Sequence, residues 1–244
     1  MRIKRYETKN RSTAHEETKS GKTFGFEFEC VPRDAAHEAC LINRDYKFVP
    51  TFDDSLPADG VELKTPMYYG RRGLLEIFRA AAQNVRFNDR RCGQHINIGD
   101  TNFLDATAMV RIRRYAPALF GPLEDAMWKN YNETVSVYGR YFNIYCRRTD
   151  GSSRFCRNYW LNLRHNNRME IRIAKFVSPE QYYDLVCMWA DVLDCLDTHF
   201  LRHYGKSAQD NLCAAQKAGA ALVHIFDRYA ARACARKHAL HYVA

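Results

Sequence analysis

The amino-acid sequence predicts an α+β fold: a curved, largely antiparallel sheet of about six strands, with helices packed on one face. A chain of 244 residues is long enough to build one large core. Several short segments alternate apolar and polar residues with a period of two, which is typical of strands that bury one face. Longer segments carry apolar residues at helical spacing. A polar turn between two strand-like segments indicates a hairpin, and hence antiparallel pairing.

The strand-like segments share one design, with apolar residues on one face and polar residues on the other. In the first, TFGFEFECV at 23–31, the three Phe and Cys30 share a face that is opposite Glu27 and Glu29. Later segments repeat the pattern: GVELK at 60–64 with Glu62 on its polar face, GQHINIG at 93–99 with His95 and Asn97, and RMEIRI at 168–173 with Arg168, Glu170 and Arg172. The residues at 139–145 and 155–164 predict two more strands, joined by the polar turn at 147–153.

Helical spacing predicts the other layer of the fold. We expect helices at 72–86, at 102–130, from 178 to about 203, and over the last forty residues, which are rich in Ala and Arg. The second of these helices should break near Pro117 or at Gly121-Pro122, because proline cannot donate the helical hydrogen bond. The third begins with Ser178 as N-cap and Gln181 as the partner in a capping box, and Gly205 ends it.

Charge and composition restrict the classes of protein. Lys and Arg number 37 against 28 Asp and Glu, a net charge of +9, which favours anionic partners and hints at an acidic substrate. No run of 18 apolar residues exists, so we expect no transmembrane helix and no membrane partner. The first 22 residues lack an apolar core typical of a secretory signal. Nine Cys without a C-x-x-C pair indicate a reducing, cytoplasmic environment.

The polar faces of the strands carry an unusual set of side chains. They hold four carboxylates, one imidazole and one guanidinium that would converge if the strands pair: Glu27, Glu29, Glu62, Glu170, His95 and Arg172. Carboxylate oxygens, with imidazole tolerated, suit hard divalent cations. A guanidinium beside them can neutralise a phosphoryl group. The set therefore predicts metal-assisted phosphoryl transfer.

Several blocks of the sequence also resemble a known family. FGFEFE at 24–29 resembles the F-G-x-E-x-E strand of the amidoligase family, which belongs to the superfamily of glutamine synthetase and glutamate–cysteine ligase. Further blocks, in the family's order, are DDSL at 53–56, GVELKTP at 60–66, CGQHINI at 92–98, and WLN at 160–162 with MEIR at 169–172. The sequence departs from the family at Asn97, where the family has the second His of an H-x-H strand.

The resemblance implies a glutamine synthetase-like catalytic domain and an ATP-dependent ligation of a carboxylate to an amine. ATP would phosphorylate the carboxylate, and the amine would then displace phosphate to form an amide or isopeptide bond. The implied cofactors are ATP and two ions of Mg²⁺ or Mn²⁺. Glu27, His95 and Glu170 would hold one ion. Glu29 and Glu62 would hold the other, and Arg172 and Glu62 would be catalytic.

The resemblance also implies binding residues and a division of the chain. Cofactor contacts fall to Asn162 and to Arg140 or Arg157, and substrate contacts to Asp53, Ser55, Lys64 and Asn97. The catalytic domain would occupy 23–204, after a polar leader at 1–22 and before a basic helical segment at 205–244 that packs on it. Asp53 and Ser55 fit a simple turn equally well, and Lys64 fits an ion pair with Glu62. Partners would be a small-molecule or peptide carboxylate and an amine, and superfamily members often form homo-oligomers.

A second hypothesis comes from the hairpin at 139–164. Arg147, Arg148, Arg154 and Arg157 lie among aromatic residues, Tyr145, Phe155 and Tyr159, and such mixtures hold single-stranded nucleic acid. A nucleic-acid-binding protein is therefore the alternative, and a metal-dependent nuclease would combine the basic and acidic features. A requirement for ATP separates the ligase from both.

Overall fold

The computed structural model describes residues 21–42, 46–51, 56, 58–87, 93–143, 146–149, 155, 159–205 and 207–241. Within these residues the strands are β1 (Lys22–Pro32), β2 (Val49–Thr51), β3 (Val61–Lys64), β4 (Tyr68–Tyr69), β5 (Val85–Arg86), β6 (Gln94–Asp100), β7 (Leu161–Asn162) and β8 (Met169–Ile171). The helices are α1 (Ala35–Ile42), α2 (Leu74–Asn84), α3 (Ala106–Lys129), α4 (Tyr131–Tyr138), α5 (Pro179–His199) and α6 (Ala208–His241), with a 3₁₀ turn at Leu201–His203.

The strands form one antiparallel sheet, as the alternating segments predict. Six strands follow one another in the order β2-β3-β1-β6-β8-β7, and β4 and β5 each pair with β1. Every pairing in the sheet is antiparallel. The long strands β1 and β6 lie at its centre and pair over seven residues, from Lys22 opposite Asp100 to Phe28 opposite Gln94. The α+β fold class is confirmed.

An aromatic core joins the apolar face of the sheet to α2 and α5. Phe24, Phe26 and Phe28 of β1 are almost fully buried. The ring of Phe26 meets that of Phe78 on α2 edge-on at 4.9 Å, and Phe78 meets Tyr182 on α5 in the same manner, also at 4.9 Å. Each buried ring contributes roughly 1.5–3 kcal/mol by leaving water, so this face of β1 fixes which way its carboxylates point.

The helix predicted at 102–130 does not break at its prolines. Helix α3 runs without interruption through Pro117 and Pro122. An α-helical hydrogen bond cannot form at a proline nitrogen, which costs roughly 3 kcal/mol. Here the buried stripe along α3 packs against α6, and that packing outweighs the local cost. Gly219 of α6 allows the close approach, because a Cβ there would lie 2.4 Å from the Ala118 carbonyl oxygen.

The prediction of a hairpin at 139–164 is also wrong for the residues that the structure describes. Gly139 ends α4 with a φ of 71°, in the left-handed region. After it, the described residues make only isolated bridges, Asn143 with Cys146 and Arg147 with Tyr159, before the short strand β7. A side chain from α3 explains the difference: Glu124 accepts hydrogen bonds from both the backbone N–H and the hydroxyl of Thr149 and so holds this segment against the helices.

Helix α5 begins as predicted but without a capping box. The Ser178 hydroxyl oxygen accepts the backbone N–H of Gln181 at 3.1 Å, which confirms the N-cap. The Gln181 side chain donates instead to the Val137 carbonyl and so joins α5 to the end of α4. Helix α6 packs against α3, α4 and α5. In the described part of the chain, no helix combines the length and apolarity needed to cross a membrane.

Candidate functional site

The register of the sheet brings the polar side chains of five strands into adjacent positions. Glu27 of β1 lies opposite Lys64 on one side and His95 on the other, and Glu29 lies opposite Glu62. Farther along, Asn97 lies opposite Glu170, which in turn lies opposite Asn162. Directly opposed residues of antiparallel strands have Cβ atoms about 4.5–5.5 Å apart. The predicted convergence of these polar faces is therefore present in the fold.

Three of these side chains form a cation-competent group. One ligand atom each from Glu27, Glu62 and His95 lies within 4.8 Å of the others. The grouping differs from the expected division, which paired Glu27 and His95 with Glu170 and placed Glu62 with Glu29. Glu62 and His95 are buried and Glu27 is half-buried, so water screens their charges only in part. The assignment of ions to these residues stays a prediction.

Glu27 and His95 form the centre of the group. A carboxylate oxygen of Glu27 lies 3.0 Å from His95 Nδ1, and its other oxygen accepts the Asn97 amide N–H at 3.2 Å. Burial raises the pKa of Glu27, but the hydrogen bond and charge of His95 lower it more, so the net pKa lies below the usual range. Glu27 is therefore a carboxylate at neutral pH, the form that binds cations.

Glu62 and Glu29 lie at the β3 side of the group. Thr51 donates its hydroxyl to Glu62 Oε2 at 2.6 Å, and Lys64 Nζ lies 3.2 Å from the same oxygen. The expected ion pair of Lys64 is thus present. Glu29 Oε2 accepts the backbone N–H of Gly93 at 2.5 Å, and Glu29 Oε1 lies 3.9 Å from His95 Nε2.

Gly93 also places Arg140 near the acidic group. A Cβ built on Gly93 would lie 3.1 Å from Glu29 Oε2 and 3.4 Å from Arg140 Nη1. The guanidinium of Arg140 is therefore beside the carboxylate of Glu29. Of the two arginines expected to contact phosphate, the structure brings Arg140 to the site, whereas Arg157 lies outside the described residues.

Donor groups from four residues surround the carboxylate of Glu170. Asn162 donates to its Oε2 at 2.7 Å, His165 Nε2 lies 3.0 Å from the same oxygen, and Arg172 pairs with Oε1. His95 Nδ1 is 3.7 Å from Oε1. Burial raises the pKa of Glu170, but the hydrogen bond of His165 and the charges of His95 and Arg172 hold it well below its usual range.

Arg172 has one buried N–H without a hydrogen-bond partner. Its Nη1 pairs with Glu170, while its Nε is buried and has no hydrogen-bond partner among the residues that the structure describes. A buried N–H without a partner is costly in a finished structure.

Comparisons with known proteins identify no family. No protein-family model and no curated protein matches the chain. A solved structure of GmaS in its apo form, without ligand, is similar to 91% of this chain and 70% of its own, with 11% sequence identity and a TM-score of 0.38. That likeness is too low to assign an activity.

Most of the predicted site residues come together, and the rest fall outside the described chain. Asp53, Ser55 and Arg157 lie outside it. The predicted residues that the sheet gathers on its polar face are Glu27, Glu29, Glu62, Lys64, His95, Asn97, Asn162, Glu170 and Arg172, with Arg140 beside them.

Three residues at the site were not among the predicted site residues. Thr51 and His165 hydrogen-bond site carboxylates from β2 and from the β7–β8 turn, where strand alternation gives no signal. Arg168 donates through Nε to the Asn97 amide oxygen at 3.0 Å. Its signal was present in the sequence, because Arg168 has the same parity as Glu170 and Arg172.

The basic segment of the alternative hypothesis is partly engaged within the protein. Arg148 pairs with Asp125 at 2.8 Å, and its guanidinium lies 4.5 Å from the centre of the Trp128 ring. Phe155 is buried against Phe120. Tyr145, Arg154 and Arg157 lie outside the described residues. The described part of this segment therefore packs against α3.

Proposed function

We propose that this protein is an ATP-dependent ligase that joins a carboxylate to an amine. A carboxylate oxygen of the first substrate attacks the γ-phosphorus of ATP, and ADP leaves. The amine then attacks the carbonyl carbon of the acyl phosphate, phosphate leaves, and the nitrogen gives up a proton. The observation that carries this proposal is the convergence of four glutamates, one histidine and one arginine on a single face of the sheet.

The residues of this face fit divalent cations. The cluster of Glu27, Glu62 and His95 offers two carboxylates and one imidazole within reach of one ion. Oxygen donors with tolerated imidazole suit Mn²⁺ and Mg²⁺. Glu29 and Glu170, both beside His95, are the donors left for a second ion. When bound, such ions reduce the repulsion between a carboxylate and a triphosphate.

Other groups of the chain would bind and orient the substrates. Arg172 is held by Glu170, so its guanidinium keeps one orientation, and its positive charge beside the site would stabilise a phosphoryl group. Arg140, near Glu29, is the second guanidinium available to phosphate. Asn97 connects Glu27 to Arg168 by hydrogen bonds and so positions the carboxylate of Glu27.

Trapping of the activated acid tests the proposal directly. The purified protein is supplied with Mg²⁺, ATP, a mixture of carboxylic acids and hydroxylamine, which converts an acyl phosphate into a hydroxamate. We expect ADP and hydroxamate to appear together with wild type and to fall to background with Glu27→Ala and Glu62→Gln. Glu76→Gln, on the exposed side of α2, is the matched control and should react as wild type does.

Two outcomes would contradict the proposal. Equal turnover by wild type and Glu27→Ala would exclude the metal role of Glu27. Absence of nucleotide binding, together with salt-sensitive retention or cleavage of single-stranded nucleic acid, would instead favour the nucleic-acid-binding protein or the nuclease.

A further inference from the structure

The first half of α3 carries three arginines and no acidic residue. Over residues 106–123 its charged side chains are Arg111, Arg113 and Arg114, and the first carboxylate along the helix is Glu124. Within the described ranges, none of the three arginines pairs with a carboxylate. This part of α3 is therefore a concentration of positive charge that acidic side chains of the protein do not neutralise.

The arginines of the other helices mostly pair with acidic residues of the protein. Those pairs are Arg79 with Glu76 and Glu180, Arg228 with Asp191, and Arg236 with Asp184. The three arginines of α3 differ in having no acidic partner among the residues that the structure describes. Their charge is therefore available to a ligand from outside the chain.

Two tyrosine rings support the guanidinium groups of this helix. The guanidinium of Arg111 lies 4.7 Å from the centre of the Tyr204 ring, and that of Arg114 lies 5.9 Å from the centre of the Tyr115 ring. The two rings meet edge-on at 5.9 Å, and Tyr115 also contacts the buried ring of Phe200. Both tyrosines are half-buried. Cation–π attraction therefore holds the arginines in place without removing their charge.

The turn between β7 and β8 borders this surface. Arg113 donates through Nη1 to the carbonyls of Leu163 and Arg164, at 3.2 and 3.3 Å, and so fixes the turn beside α3. The side chain of Arg164 is exposed. Arg111, Arg114, Tyr115 and Tyr204, with Arg164 at the edge, form a surface that we call the α3 basic face.

We propose that the α3 basic face binds single-stranded nucleic acid. Arg111 and Arg114 are three residues apart on one helix, so their Cβ atoms lie about 5–6 Å apart, and both guanidinium groups can contact one stretch of phosphates. Tyrosine rings and guanidinium planes also stack on unpaired bases. An acidic protein would use the charges of this face but not its rings, and for that reason we favour nucleic acid.

This inference does not depend on the proposed ligase function. The α3 basic face contains no residue of the cation-competent group formed by Glu27, Glu62 and His95. Phosphates bind to it by charge alone, and a net charge of +9 adds to that attraction.

Fluorescence anisotropy of the full-length protein tests the inference. The probe is a labelled oligothymidylate of about 20 nucleotides, longer than the roughly 4–16 that such a surface covers. A chelator is present, so that binding is measured apart from any metal-dependent cleavage. We expect the dissociation constant to rise with salt between about 50 and 200 mM, with a log–log slope of about 0.7 for each phosphate contacted. Contacts from Arg111, Arg114 and Arg164 would give a slope of about 2.

The most direct variant is Arg114→Gln, because Arg114 is exposed and its replacement should leave the fold intact. It should lower the slope by about 0.7 and weaken binding by about threefold to tenfold at the lowest salt. Arg111→Gln should act in the same way. Tyr115→Leu keeps an apolar contact with Phe200 but removes the ring, so it should weaken binding at least about fivefold and leave the slope unchanged.

Two control variants separate the α3 basic face from general effects of charge and from the polar face of the sheet. Arg79→Gln removes the same charge from an arginine that is already paired with two glutamates, and it should bind the oligonucleotide as wild type does. Glu27→Ala should also bind as wild type does. The α3 variants should in turn keep the ATP turnover of wild type.

The inference is overturned if wild type does not bind the oligonucleotide, or if Arg79→Gln weakens binding as much as Arg114→Gln does. It is also overturned if polyglutamate of equal charge binds as tightly as the oligonucleotide, because the face would then suit an acidic protein. Loss of binding in Glu27→Ala, without loss in the α3 variants, would place the nucleic acid at the polar face of the sheet instead.

Discussion

Two buried groups of carboxylates in this protein are built on opposite principles. Glu124 of α3 is surrounded by donors: its Oε2 accepts the N–H and the hydroxyl of Thr149, each at 2.8 Å, and the Trp160 indole N–H at 2.5 Å, while Arg148 Nε lies 3.7 Å from its Oε1. On the sheet, Glu27, Glu29 and Glu62 instead lie close together around His95. A single buried carboxylate surrounded by donors from other segments holds the fold together, whereas carboxylates gathered against their mutual repulsion indicate a site for cations.

The largest expected effect is on stability, in the helical layer. Glu124→Ala would leave three buried donors without an acceptor, so we expect the free energy of unfolding to fall by about 3–5 kcal/mol. Urea denaturation followed by circular dichroism measures this. Asp125→Ala is the matched control, because Asp125 is the next residue along α3 and is exposed, and it should cost at most about 1 kcal/mol. If the two variants lost similar amounts of unfolding free energy, Glu124 would not hold the segment at Thr149 and Trp160 as proposed.

The next effect is the response of the metal-free protein to acid. The folded-state pKa of Glu170 is depressed below its ordinary value of 4.5. Its contribution to stability is therefore present above pH 4.5 and is lost as the pH falls through the depressed value. In a chelator, the unfolding free energy of wild type should decrease more steeply below pH 4.5 than that of Glu170→Gln, by up to about 1.4 kcal/mol per pH unit. Parallel pH profiles would contradict the prediction.

Cation-induced stabilisation should distinguish the sheet from the helices. Mn²⁺ at a hundred times its dissociation constant should stabilise wild type by about 2.7 kcal/mol. Glu62→Gln, which loses one ligand, should bind at least about tenfold more weakly, which removes about half of that gain. Without metal the variant should be about as stable as wild type, because relief of the repulsion between Glu62 and the neighbouring carboxylates offsets the loss of the Lys64 ion pair. Thermal melts with and without Mn²⁺ measure both effects, and an undiminished Mn²⁺ shift would exclude Glu62 as a ligand.

The smallest effect concerns a carboxylate with a purely local role. Asp105 caps α3 by accepting the Ala108 N–H at 2.7 Å. Asp105→Ala should lower the unfolding free energy by about 1 kcal/mol and leave the Mn²⁺-induced shift unchanged. A change in that shift would mean that the helical layer affects the polar face more than its contacts indicate.

The sequence predicts the polar face well because strand parity is a local property. Glu27, Glu29, Glu62, His95 and Glu170 could be assigned to one face once their strands were recognised, since successive side chains alternate between faces. The apolar residues that alternate with these polar residues face the core. The polar and the apolar side chains of each strand therefore indicate the same orientation.

Features that depend on distant contacts could not be predicted in this way. The unbroken α3 depends on its packing against α6, and the segment after Gly139 is held by Glu124 from another element. Gln94 is a further example, since it appears on an apolar face and yet is fully buried, accepting the Phe176 N–H at 2.6 Å. The intrinsic propensity of a residue for helix or strand does not depend on such distant partners.

The alternation of side chains along β1 makes the protein sensitive to the deletion of a single codon in this strand. Deleting one codon between those for Phe24 and Glu29 would leave most of the chain's composition unchanged but reverse the facing of the remaining side chains of β1. Phenylalanine rings would then point at the polar face, and Glu27 and Glu29 would point into the aromatic core. Loss of one codon should therefore be far more damaging in this strand than most substitutions, whereas loss of two adjacent codons would keep the alternation.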